Sequence, residues 1–107
     1  MEQPNLVYID QLARGDESIK NILIEVIKTE FPNEINDYYI SVDLKDFKKI
    51  EDNVHRIKHK FSILGLVKSY NKANEFEHNL REHQLNLKEH EDFEKILTVI
   101  SGYLKTI

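Results

Sequence analysis

Cysteine is absent from the chain, which excludes disulfides, thiolate metal sites and cysteine nucleophiles and fits a reducing compartment. Glycine and proline are scarce, at three and two residues, and no alternating strand pattern bounded by turn pairs occurs. Few breakers and abundant Leu, Ile, Glu and Lys point to helices. No apolar run approaches the roughly 20 residues needed to span a bilayer. The Met-Glu-Gln start also lacks the basic-then-apolar pattern of a signal peptide. A cytoplasmic protein without membrane attachment is the expectation. A basic excess is missing too: the formal net charge of −4 argues against nucleic acid as the main partner. Finally, no glycine-rich phosphate loop and no acidic cluster suited to magnesium are present, so the chain lacks the means to bind or cleave ATP.

What is there is enough for one domain with one modest core and too little for two, at 107 residues. The apolar share of 40% is close to the globular norm and favours a packed fold over disorder. Charge is unevenly spread. Between Val54 and Asn74 lie five of the 15 basic residues (Arg56, Lys58, Lys60, Lys68, Lys72) and none of the 19 acids, so the rest of the chain carries a net of −9. A positive island in an acidic protein marks where an anion is tolerated or attracted.

Periodicity divides the chain into an N-terminal segment, 1–15, and a helical bundle, 16–107. Leu6, Ile9 and Leu12 fit a short helix or lid ended by Gly15. Asp16 is a plausible N-cap for a helix carrying Ile19, Ile22, Leu23, Val26, Ile27 and Phe31. Pro32 is expected to kink or break it, after which Ile35, Tyr38, Tyr39 and Val42 continue the stripe. Asp43 is a candidate cap for the next helix, with Asp46 three residues on. There Phe47, Ile50, Val54, Ile57, Phe61 and Leu64 form the most regular apolar seam in the sequence, and Gly65 is placed to end or bend it. A returning helix carries Leu66, Tyr70, Ala73, Phe76, Glu77 and Leu80. After a polar turn at 84–86, Asn86 and Glu89 open a last helix with Phe93, Ile96, Leu97, Ile100 and Leu104. Short connections between long amphipathic helices favour an all-α fold: an antiparallel four-helix bundle with the N-terminal segment packed across one end. The initiating Met and the finished last helix favour a complete protein over an excised domain.

His55 stands apart from the apolar seam, roughly a third of a turn away at about 100° per residue, so its ring is expected to face solvent. Lys58 lies at i+3 and His59 at i+4 on the same surface; Ser62 continues the row. A neutral imidazole with an ordinary pKa near ~6.5 is a nitrogen nucleophile towards phosphorus at neutral pH. A phosphoryl group there adds about two negative charges, which favour nearby cations and an absence of carboxylates. Lys58 and the acid-free segment fit that need.

The segment His55-Arg-Ile-Lys58-His59-Lys-Phe-Ser-Ile-Leu-Gly65-Leu66 resembles the signature of histidine phosphotransfer domains: histidine, lysine three residues on, then a Leu-Gly-hydrophobic close. Ala73-Asn-Glu-Phe76-Glu77 looks like the small-residue and apolar-Glu pattern of that family's following helix, and 16–54 is similar in length and rhythm to its first long helix and return. The resemblance implies a phosphocarrier rather than an enzyme. His55 is then the phosphoacceptor, Lys58 the residue that stabilises the phosphoryl group, and Gly65 a structural glycine permitting close helix packing near the docking face. It also implies receiver domains of response regulators and a hybrid sensor histidine kinase as partners, a monomeric state, and no cofactor of the chain's own, magnesium residing on the receiver. Arg56, His59 and Ser62 are candidate receiver contacts. One departure is evident: the family commonly has glycine after the lysine, where this chain has His59, followed by Lys60. His59 can bond the phosphoryl group, contact the receiver or lie aside in solvent.

Two other readings compete. His55 and His59 at i, i+4, with Glu51 one turn earlier, match metal-ligand spacing on one helical face, although the neighbouring lysines repel a dication. A scaffolding bundle without phosphotransfer fits the same seam. His78, His83 and His90 read as surface residues at helix ends, without a role.

Overall fold

The computed structural model describes residues 2–107; Met1, the first residue of the N-terminal segment, lies outside them. The described residues form five helices and no strand: α1 (Val7–Ala13), α2 (Glu17–Asp43), α3 (Phe47–Ile63), α4 (Val67–Arg81) and α5 (Leu87–Leu104). The all-α class and the helical bundle expected from periodicity are both present.

Side-chain caps fix most of the boundaries. Asp16 accepts from the backbone N–H groups of Ser18 and Ile19 at the start of α2, and Asn86 accepts from Glu89 at the start of α5. The cap of α3 is Asp46, which accepts from Lys49, not Asp43. Asp43 is still in the last turn of α2, and the chain reverses only beyond it, where Lys45 takes φ +53°.

Pro32 does not break α2, which runs unbroken for 27 residues. An interior proline costs about 3 kcal/mol. Phe31 and Tyr38 on the same helix are 1% and 0% exposed, and burying one such side chain contributes roughly 1.5–3 kcal/mol, so packing along the stripe outweighs the lost hydrogen bond.

The α3 seam forms the centre of the core: Ile50, Val54, Ile57, Phe61 and Leu64 are buried together with Phe31 and Tyr38 of α2, Phe76 and Leu80 of α4, and Phe93, Leu97 and Ile100 of α5. Polar pairs across the helices show their relative sense. Going down α3, Glu51, His55 and Lys58 meet Arg81, Glu77 and Asn74 in reverse order on α4. Asn53 and Lys60 likewise meet Asp37 and Glu30 in reverse order on α2.

The turn between α3 and α4 is held by backbone bonds from Gly65 to Ser62 and from Leu66 to Phe61, the pattern of a glycine-terminated helix. Gly65 has φ +78°, and a Cβ built there would fall 2.5 Å from the Asn5 side chain. The close approach it permits is therefore that of the N-terminal segment, not of another helix. Asn5 N–H also donates to Leu64 O at 2.9 Å, and Glu2 accepts from the backbone of Lys68 and Ser69. The segment ahead of α1 thus straps the α3–α4 turn and supplies the start of α4 with the cap its own N-cap residue, Leu66, does not provide.

Candidate functional site

Midway along α3, His55 emerges beside α4 with its side chain 55% exposed. Its Nδ1 lies 2.8 Å from Glu77 Oε1. The other carboxylate oxygen, Oε2, accepts from Lys58 Nζ at 2.6 Å, and the same ammonium donates to Asn74 Oδ1 at 2.7 Å. Helical spacing makes this arrangement: His55 and Lys58 are one turn apart on α3, and Asn74 and Glu77 one turn apart on the opposing face of α4. Arg81, one turn beyond Glu77, reaches its Oε1 at 3.6 Å.

Glu77 is buried, with a side chain only 8% exposed. Burial pushes its carboxyl up, but the hydrogen bonds and charges of Lys58 and His55 outweigh that and hold it below the usual carboxylate range. An ionised carboxylate only accepts hydrogen bonds, so His55 Nδ1 carries the ring proton. In the neutral ring the lone pair then sits on Nε2. A buried acid thus sets the tautomer of a half-exposed histidine.

Lys58 is buried rather than solvated, at 8% exposure, with the Tyr70 ring 5.6 Å from its ammonium. Two of its three N–H donors serve Glu77 and Asn74, leaving one for a further acceptor. The acid-free segment is not an uncompensated positive island. Arg56 pairs with Asp37 at 3.1 Å, Lys60 with Glu30 at 3.0 Å, and Lys58 with Glu77. Counting charge along the sequence missed carboxylates that α2 and α4 bring in from outside the segment.

The remaining candidates divide by position. Arg56 turns towards α2, where it also donates to Asn53 Oδ1 at 2.8 Å. Ser62 is exposed one turn beyond Lys58. The ring of His59 stands edge-to-face with His55, centroids 5.0 Å apart at 88°. Burial, followed by the neighbouring charges of His55 and Lys58, pushes His59 below the usual histidine value, and Glu77 opposes them only in part. The triad for a metal does not converge: Glu51 is paired with Arg81 at 2.9 Å, while Nδ1 of His55 is taken by Glu77. Among the described residues no group of three His, Asp or Glu side chains gathers to hold a metal ion.

Comparison of the chain with protein-family models, with curated proteins and with solved structures finds no match. The geometry of the site is that of a half-exposed imidazole tethered through Nδ1 to a carboxylate that a buried ammonium helps to keep ionised.

Elsewhere the structure corrects the expectation for His90. It is only 15% exposed at its side chain, lies 2.6 Å through Nδ1 from the Tyr38 hydroxyl, and pairs through Nε2 with Glu94 at 3.1 Å. Tyr39 donates to the same carboxylate at 2.7 Å. His83 stacks on Phe47 at 5.4 Å, while His78 is exposed on α4. Sequence reasoning assigned no chemistry to Glu77 or Asn74. Their signal is a carboxylate set in an apolar stripe, Ala73, Phe76 and Leu80, where burial demands a partner.

Proposed function

We propose that the chain is a histidine phosphotransfer protein, in which His55 accepts a phosphoryl group from a receiver-domain aspartate and passes it to another receiver. The observation that carries this reading is the Glu77 contact to Nδ1 of an exposed histidine, which in the neutral ring leaves the lone pair on Nε2. In the forward step the Nε2 lone pair attacks the phosphorus of an aspartyl phosphate. The N–P bond forms as the P–O bond to the aspartate breaks, and the carboxylate leaves with the electron pair. No proton has to leave Nε2. Positive charge that develops on the ring is met by Glu77 through Nδ1–H, and the remaining Lys58 donor is available to a phosphoryl oxygen. Positioning does most of the work: the ring is tethered, and the incoming phosphorus is presented by the partner. Magnesium belongs to the receiver in this scheme, and ATP chemistry to a hybrid sensor kinase upstream. The carrier itself works as a cytoplasmic monomer.

The test is a two-step relay. A receiver charged on its aspartate is mixed with the purified chain, and then with a second receiver. Label is expected to pass through the chain in an acid-labile, base-stable form, and the His55→Gln chain should block it. Unchanged passage through His55→Gln would overturn the assignment.

A further inference from the structure

We propose that His59 is the movable counter-charge of phosphorylated His55: it is neutral while His55 is free and takes up a proton when the neighbouring ring carries a phosphoryl group. This inference rests on the phosphocarrier reading of His55 and deepens it.

The geometry supplies the means. The two rings are in van der Waals contact range, with centroids 5.0 Å apart and planes at 88°, and both residues are exposed on one face of α3. A phosphoryl group on Nε2 of His55 therefore extends into the surface that His59 borders. The other cations nearby are already held in ion pairs, with one Lys58 N–H donor left over. Lys58 serves Glu77 and Asn74, Arg56 serves Asp37 and Asn53 from the α2 side, and Lys60 serves Glu30 and Glu34. Among the described residues the His59 ring makes no side-chain hydrogen bond, so its donors are uncommitted.

The charges facing His59 set the sign. On α3, Lys58 and Lys60, and His55 when its ring is protonated, join burial in favouring the neutral ring, while Glu77 on α4 opposes them in part. A phosphoryl group places about −1.5 to −2 charges on His55, which turns that neighbour into an anion favouring the protonated His59 ring. By linkage, whatever the phosphoryl group does to the proton affinity of His59, the proton does to the stability of the phosphoryl group. Protonated His59 holds the phosphoryl group on His55, and loss of that proton releases it to an acceptor. A glycine at this position provides no such coupling.

The full chain, isotopically labelled at its histidines, is titrated by NMR before and after treatment with phosphoramidate, a small-molecule phosphoryl donor that needs no partner. On phosphorylation of His55 the His59 midpoint is expected to rise by about one pH unit or more, the size a close opposite charge produces. In His59→Gln, an exposed substitution, the survival time of the phosphoryl group should lose the part of its pH dependence that follows the His59 midpoint. If His55 becomes phosphorylated and the midpoint stays put, this inference fails and the phosphocarrier reading stands. If His55 remains unphosphorylated, or the label goes to His59, both are overturned.

Discussion

At the residue scale the decisive contact is a buried carboxylate shared between an imidazole and an ammonium. Replacing Glu77 by alanine strands Lys58, which is 8% exposed, and removing one partner of a buried pair costs about 3–5 kcal/mol. Urea unfolding of Glu77→Ala should show a loss of that order, while exposed His55→Gln should unfold close to wild type. Two buried glutamates give opposite pH behaviour. Glu77 is held below the ordinary carboxylate range, so its contribution is present above the unfolded value, near about 4.3, and is lost as pH falls through the lower folded value. Glu34 is pushed up by burial, against Lys60 and Arg56, and its Oε1 has no hydrogen-bond partner. Its charged form is a cost at neutral pH that disappears as pH falls through the raised folded value. Relative to wild type, Glu77→Gln should lose stability between about pH 3 and about pH 7, and Glu34→Gln should gain it. Denaturant midpoints across that range check both; slopes of the same sign would contradict the assignment. His55 and Lys58 were legible because a helix places i and i+3 together. Glu77 was not, because a partner on another helix has no fixed sequence offset.

At the element scale, helices were legible and their ends less so. The apolar seam of α3 follows from spacing alone, and Asp16 and Asn86 cap as their positions suggest. Asp46 displaced Asp43 because the left-handed residue Lys45 lengthens the turn, and Pro32 was overridden by the burial of Phe31 and Tyr38 around it. The strap was invisible in sequence, since Glu2 and Asn5 act on a turn some sixty residues away. Its expected effects separate by substitution. Gly15→Ala, at φ +80° with open space around it, should cost about 1–2 kcal/mol from the left-handed backbone alone. Gly65→Ala carries the same backbone penalty and must also displace Asn5, so thermal or urea unfolding should rank it clearly below Gly15→Ala. Glu2→Ala removes the cap of α4 and should cost about 1 kcal/mol. In that variant, faster amide exchange at Lys68 and Ser69 is the local signature, and unchanged exchange there would argue against the strap.

At the scale of the whole molecule, the bundle brings acids from α2 and α4 against a segment that has none of its own, so that His55, Arg56, Lys58 and Lys60 all meet carboxylates from neighbouring helices. No helix of the described residues is long and apolar enough to cross a membrane. The all-α organisation could be read from periodicity, because it reports on which face of each helix can bury its apolar surface. The local electrostatics could not, because they depend on which helices become neighbours. The phosphocarrier reading therefore stands on one nitrogen. The most direct measurement is mass-spectrometric mapping, under alkaline conditions, of the chain after exposure to an aspartyl-phosphorylated receiver. One phosphoryl group on His55, absent from His55→Gln and slowed in Glu77→Gln, is the expected result. An unmodified His55, or a label on any other residue, would contradict it.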